Sequence, residues 1–318
     1  EAIRVATWNI KFAGARIRFF WECPGDRETM SESEVRANLE PIAAAIDEID
    51  ADVLLIQEID VDAKRTAYID QVQWLLDHTD YNYGAYASEQ RSAGVPGGAI
   101  DRTNSGNAVL SKWPITAARR IALPKIEEQS ALTQYFYPRR NILDTRIRVP
   151  EHSDFRVLAT HTSAFAEDDT ARRQIAQFAD RFRTHDAADE LVVAGGDLNT
   201  LPPGSEKRKN FEPKPDHDCE QKGSVYTDHV GWMDPMYEAA TPAVGLEDYR
   251  TNNTPYFTYT GEADGFWNRK LDYLFTNGIF TEGSTTTYQN KMRGGIETLP
   301  LSDHAPISVE LVLPASPP

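Results

Sequence analysis

Basic residues are scarce in this chain of 318 residues: 33 Lys and Arg against 49 Asp and Glu leave a formal charge of −16. Such a surplus repels nucleic-acid phosphates at long range and lacks the basic field on which non-specific binders depend. It disfavours a nuclease without excluding one, because local pairs such as Arg119-Arg120, Arg139-Arg140 and Arg172-Arg173 can still meet a phosphate. Cysteine is almost missing; Cys23 and Cys219 allow one disulfide or two buried thiols and offer no cluster for zinc. No apolar run approaches the length of a membrane span, and no signal peptide is visible. The first residue is Glu1 rather than Met, which leaves open a removed leader or a trimmed chain. No repeat, low-complexity tract or Pro/Gly/Ser linker marks a boundary.

What is present suffices for a core. Hydrophobic residues make up 40% of the chain, with 13 Tyr, 13 Phe and 6 Trp. We therefore expect one folded domain over residues 1–313 and disorder only in the tail 314–318.

Several apolar strands run directly into a polar residue. Ile3 to Trp8 alternates as a strand and is followed by Asn9. Val53 to Ile56 is continuously apolar, as a strand buried on both faces should be, and leads into Gln57 and Glu58. Asn107 sits at one end of the run 105–111, and His161 ends the run that starts at Phe155. Val192-Val193-Ala194-Gly195-Gly196-Asp197-Leu198-Asn199 sets an acid and an amide two residues apart, hence on one face of extended chain. Its glycines would let the main chain come close to whatever sits there. Asp272 lies within a further strand, and Asp303-His304 precede the last one, Ile307 to Val312. Helices are expected from Ser31 or Ser33 to Ile49, from about Ala63 to Leu76 and from about Asp168 to Arg183, with the hairpin of Ile142–Val149 and Phe155–Thr160 before the third. Residues 201–256 read mostly as loop.

Each polar residue alone has an ordinary explanation as a loop carboxylate, a turn amide or a hydrogen-bonded histidine. Together they describe a rim of strand ends, where open α/β folds build sites. Carboxylates and amides without clustered Cys or paired His favour a hard cation, Mg²⁺ with Mn²⁺ or Ca²⁺ as substitutes. The histidines supply proton transfer or a charge for an oxyanion. Metal-assisted hydrolysis of a phosphate ester is the reaction class that uses this set.

The stretches Thr7-Trp8-Asn9-Ile10, Ile56-Gln57-Glu58, Gly106 to Ser111, Thr160-His161, Gly196 to Asn199, Leu271-Asp272-Tyr273 and Ser302 to Pro306 resemble, in order, those of the endonuclease/exonuclease/phosphatase superfamily. The form Gly-Asn-Ala-Val-Leu-Ser is most similar to its bacterial branch of varied substrates. The resemblance implies a four-layer α/β sandwich, with two mostly antiparallel sheets packed face to face and helices outside. It implies that Glu58 is the main Mg²⁺ ligand, with Asn9 and Asp303 near the ion. By the same resemblance Asp197 orients or deprotonates the attacking water and Asn199 holds that water or a phosphate oxygen. His304, oriented by Asp272, is the other candidate base or a phosphate contact, and His161 meets the developing charge or the leaving group. Asn107 and Arg140 match positions that face the phosphate.

The expected activity is thus hydrolysis of a small, lipid or sugar phosphate mono- or diester by a monomer, with a non-specific secreted endonuclease of the deoxyribonuclease I type as the alternative. Cys23 and Cys219 fall in the two long loops, 11–30 and 201–256, that leave the strands of Asn9 and Asn199. We expect a disulfide between them above the metal, which requires a secreted or periplasmic setting. Asp216-His217-Asp218 is a candidate second ion site, read more readily as a solvated turn, and Gly265-Phe266-Trp267 a candidate aromatic lip.

Overall fold

Continuous apolar strands need cover on both faces, and the chain supplies it in four layers. In this computed structural model the described residues are 1–22, 25–93, 102–127, 129–130, 133–134, 137–164, 168–205, 229–260 and 267–314. Cys23, Cys219, Asp216 to Asp218, Gly265, Phe266 and the tail from 315 onward lie outside them, and so do the expectations placed on those residues.

The first sheet has the order β11 (Ile279–Phe280), β13 (Ile307–Val312), β1 (Ala2–Asn9), β2 (Val53–Asp60), β4 (Thr103–Ser111) and β3 (Tyr83–Ser92), with β12 (Thr286–Thr287) also pairing β13. The second runs β5 (Ile115–Ala122), β6 (Asn141–Ile147), β7 (Phe155–His161), β8 (Leu191–Asp197), β10 (Asp272–Thr276) and β9 (Thr241–Pro242). Among the named strands of the described residues β1 with β2 and β7 with β8 are parallel, and the other strand pairings are antiparallel. Each parallel pair needs a crossover, provided by helix α1 (Glu32–Ile49) and by a second helix at Thr170–Asp186.

Alternation along the strands sorts side chains between layers. Val5, Val53, Leu55 and Val109 meet Leu143, Val157, Val193 and Leu274 between the sheets. Ala6, Trp8, Leu54 and Ile56 point outward beneath Leu39, Ile42 and Ile46 of α1. Leu158, Val192, Ala194 and Phe275 are covered by Ile175, Phe178 and Phe182 of the 170–186 helix. Ser31 caps α1 through a reciprocal capping box with Glu34.

Three expectations need correction. The helix foreseen from Ala63 begins only at Gln71 and runs to His78 (α2), because Ala67 and Tyr68 adopt left-handed φ of 53° and 61° before Asp70 caps it. Within 201–256 the chain forms helices at Asp234–Ala239 and Leu246–Thr251. Trp267 is no lip: it is buried, and its Nε1 donates to the Gln289 carbonyl at 3.1 Å. Among the described residues no helix is long and apolar enough to cross a membrane.

Candidate active site

The two parallel pairs end at the same rim. In register, Asn9 lies beside Gln57, His161 beside Asp197, and Asp272 across from Asp197. A bulge between Ile56 and Ile59 interrupts the pairing of β2 with β4, and Glu58 within it takes a left-handed φ of 52°. Bulges re-aim side chains in this way; the carboxylate of Glu58 stands at the rim, its side chain 32% exposed.

The glycines of β8 serve their neighbours. A Cβ on Gly195 would lie 2.3 Å from the Tyr273 carbonyl oxygen, and one on Gly196, at φ +131°, would lie 1.9 Å from that of Thr160. The close approach anticipated there is therefore between strands. It lets β7, β8 and β10 bring His161, Asp197 and Asp272 side by side.

Asp197 Oδ2 is where the two sheets meet. It accepts a hydrogen bond from Asn9 Nδ2 at 3.0 Å and lies 3.3 Å from His161 Nε2 and 3.5 Å from His304 Nε2. Its other oxygen accepts from the Asn199 backbone N–H at 3.0 Å. Asn9 Nδ2 also donates to Glu58 Oε1 at 3.1 Å, while Asn9 Oδ1 accepts from the Lys11 N–H at 3.0 Å. His304 Nδ1 is 2.8 Å from Asp272 Oδ2. The segment before His304 is tied down in turn: Ser302 Oγ donates to the Asn9 carbonyl at 2.8 Å, and Trp8 Nε1 donates to the His304 carbonyl at 2.8 Å.

Burial and neighbouring charges decide the protonation states. Burial pushes the Asp197 carboxyl up to about 7, with the His304 charge opposing and the Asp272 charge adding to the rise. Burial works against a cationic His304, but Asp272 and Asp197 outweigh it and lift that imidazole to about 10. His161 goes the other way, well below its ordinary value, through burial and the charges of Arg140 and His304. One histidine is thus cationic and the other neutral at pH 7. Glu58 is raised by burial and then by the Asp303 charge, so these two carboxylates repel each other. A hard cation between them would relieve that repulsion, and their oxygens are the donors such an ion takes; Asn9, whose Nδ2 faces Glu58 and Asp197, holds these carboxylates by hydrogen bonds. Asp197, Asp272 and His304 also offer ligand atoms within 4.8 Å of one another, but His304 already bridges the two carboxylates there.

Asn199 and the phosphate candidates stand slightly apart. Asn199 Nδ2 donates to the Thr162 carbonyl at 3.1 Å. Asn107 Nδ2 and Arg140 Nη1 converge on Glu89, at 3.1 and 2.8 Å, and Glu89 Oε2 is 3.8 Å from His161 Nδ1. Glu89 escaped the sequence reading. The available signal was a carboxylate in step with Ala85 and Ala87 along β3, where period-two spacing turns it inward. Gln57 and Lys270 were also missed. Gln57 Oε1 accepts from Thr7 Oγ1 at 3.2 Å, and buried Lys270 Nζ donates to the Asp272 carbonyl at 2.9 Å.

A family model described as endonuclease/exonuclease/phosphatase family matches residues 6–304. Among solved structures the chain is similar to an endonuclease/exonuclease/phosphatase from Beutenbergia cavernae DSM 12333, at 20% identity and TM-score 0.64, covering 98% of this chain and 72% of that one. It is similar to TDP2 from C. elegans at 18% identity and TM-score 0.55, with 98% and 75% covered. The human Nocturnin catalytic domain with bound sulfate anion aligns at 16% identity and TM-score 0.57, with 98% and 95% covered. These likenesses show the fold. No curated protein matches the chain.

Proposed function

Since the chain belongs to the endonuclease/exonuclease/phosphatase family, we propose that it hydrolyses a phosphate ester with a divalent cation held at Glu58 and Asp303, Asn9 alongside. The observation that carries this reading is the meeting of Asn9, His161 and His304 on one oxygen of Asp197, next to two carboxylates that repel. Mg²⁺ suits the oxygen donors, and Mn²⁺ or Ca²⁺ can substitute. Such an ion would offset the charge that builds on the phosphoryl oxygens.

The protein groups divide the remaining work. Asp197, titrating at about 7, accepts the proton of the attacking water at Oδ2. His304, held cationic by Asp272, faces the phosphoryl oxygens, where its charge stabilises the transition state. Neutral His161 serves the leaving oxygen. Arg140 and Asn107, steadied by Glu89, and Asn199 supply further hydrogen bonds around the phosphate. The net charge of −16 supports a small ester over a polymer.

The test is parallel hydrolysis of bis(p-nitrophenyl) phosphate, p-nitrophenyl phosphate and supercoiled plasmid, with Mg²⁺, Mn²⁺ or EDTA and Asp197→Ala as blank. Metal-dependent turnover of the small esters with intact plasmid is the expected result, and the diester-to-monoester ratio names the subclass. Plasmid nicking faster than either would make the protein a nuclease. Turnover that survives EDTA or Glu58→Ala would sink the metal-assisted reading.

A further inference from the structure

The loop that follows Asn9 is strained, aromatic and wrapped around the proposed metal carboxylates. Lys11, Phe12 and Ala13 have φ of 46°, 44° and 54°, and Ala15 has 50°. Left-handed conformations at residues with a Cβ each cost about 1–2 kcal/mol, and such strain gathers where function requires it. Packing holds the loop in place. Gln71 Nε2 donates to the Phe12 carbonyl at 2.8 Å, and the Arg65 guanidinium carbon lies 3.6 Å over the Phe12 ring. Arg65 is in turn clamped bidentately to Asp60, two residues beyond Glu58, by bonds of 2.8 Å. On the other side Arg16 reaches the carbonyls of Thr260 and Ser302 at 3.2 Å, beside Asp303. The loop is therefore fastened at both ends of the carboxylate pair.

What this anchoring presents is an aromatic shelf. Phe19 is buried and stacks on Trp21, with centroids 5.0 Å apart and planes 9° from parallel. Phe20 meets Trp21 edge-on at 4.9 Å. Phe20 and Trp21 are 45% and 40% exposed. The Arg65 guanidinium carbon lies 5.6 Å from the Trp21 ring, so the shelf is backed by a cation. Exposed rings beside guanidinium groups, next to a phosphate site, are the chemistry of base stacking.

We propose that Phe20 and Trp21 form a stacking subsite for the base of a nucleotide ester whose phosphoryl group lies at Glu58, Asp303 and Asp197. This rests on the phosphoesterase reading and narrows its substrate. The experiment measures binding of an end-labelled short oligodeoxyadenylate and of an abasic oligomer of equal length, by fluorescence anisotropy. Asp197→Ala is the background, to stop turnover, with Trp21→Ala and Trp21→Phe added. The base-bearing oligomer should bind more tightly, and Trp21→Ala should weaken it by about tenfold or more. Trp21→Phe should keep most of the affinity, and binding of the abasic oligomer should be indifferent to both Trp21 substitutions. Equal affinity for the two oligomers, or an equal loss on both, would overturn the proposal. So would a blue shift of tryptophan emission on phosphatidylglycerol vesicles that Trp21→Phe abolishes, with oligomer binding unchanged in Trp21→Ala. Base-dependent binding in a protein that with Mg²⁺ turns over neither nitrophenyl ester nor the oligomer would keep the shelf and reject the hydrolase reading.

Discussion

The two sheets end at one rim, yet they bring opposite kinds of site to it. The seven-stranded sheet contributes Asn9 and Glu58, with Asp303 just ahead of β13; Glu58 is partly open, and its charge is opposed by that of Asp303. The six-stranded sheet contributes His161, Asp197 and Asp272, all buried, and His304 links Asp272 to Asp197. Surplus negative charge facing water is a place for an ion. Sealed groups with paired charges are a place to hold and move a proton. The folding device is the same on both sides, a parallel strand pair ending together; a bulge at Glu58 opens one side, and glycine contacts at Gly195 and Gly196 close the other.

The comparison breaks if both sides fail in the same way. Asp197→Asn should lower kcat by about 10²–10⁴-fold while keeping the rise in melting temperature that divalent cations produce by binding the folded state. Glu58→Gln should lose the rate and the thermal shift together. Calorimetry on both variants with Mg²⁺ and with EDTA decides it. Loss of the shift in Asp197→Asn would merge the two regions into a single metal centre.

Gly196→Ala probes how the sealed side is built. The added carbon meets the Thr160 carbonyl at 1.9 Å and sits on a φ of +131°, so urea denaturation should show a loss of about 3 kcal/mol or more. Activity should fall with it as β7 and β8 separate. A variant of unchanged stability would mean that the strand contact is looser than this geometry states.

Much of this arrangement was legible in the sequence because burial on both faces leaves plain marks. Val53 to Ile56 and Leu191 to Ala194 are unbroken apolar runs, and a carboxylate two or three residues past each, Glu58 and Asp197, stands at the rim. Ser31 and Ser33 both offered a start for α1, and Ser31 is the one that caps it. Less was legible where distant contacts decide. β5, whose residues 116 to 120 are all exposed, has no alternation to read, and β3 was lost among polar residues although it pairs along its whole length with β4. Glu89 finds its partner Arg140 across 51 positions, which no local pattern encodes. The glycines of β8 were visible, but their purpose was not, since it lies in the carbonyls of Thr160 and Tyr273 on other strands.

Lys270 gives the smallest and most discriminating test of the sealed side. Burial lowers its amine from the ordinary 10.5 to about 7, with the Asp272 charge opposing, and Nζ donates to the Asp272 carbonyl at 2.9 Å. Between those two values the unfolded chain binds more protons than the folded one, so this residue's contribution is complete above 10.5 and is lost as pH falls toward 7. Wild-type stability should therefore rise with pH across that window, by about 1 kcal/mol per pH unit from this group. Lys270→Met removes the titration and a single hydrogen bond, so above pH 10.5 it should cost no more than about 1 kcal/mol, and toward pH 7 it should become stabilising relative to the wild type, whose buried amine must lose its proton to fold. Its urea midpoint should climb less steeply toward pH 9 than that of the wild type. Parallel slopes would mean that Lys270 stays charged in the folded protein. The proton-handling side would then hold an uncompensated buried cation, and its contrast with the carboxylate side could not rest on matched charge.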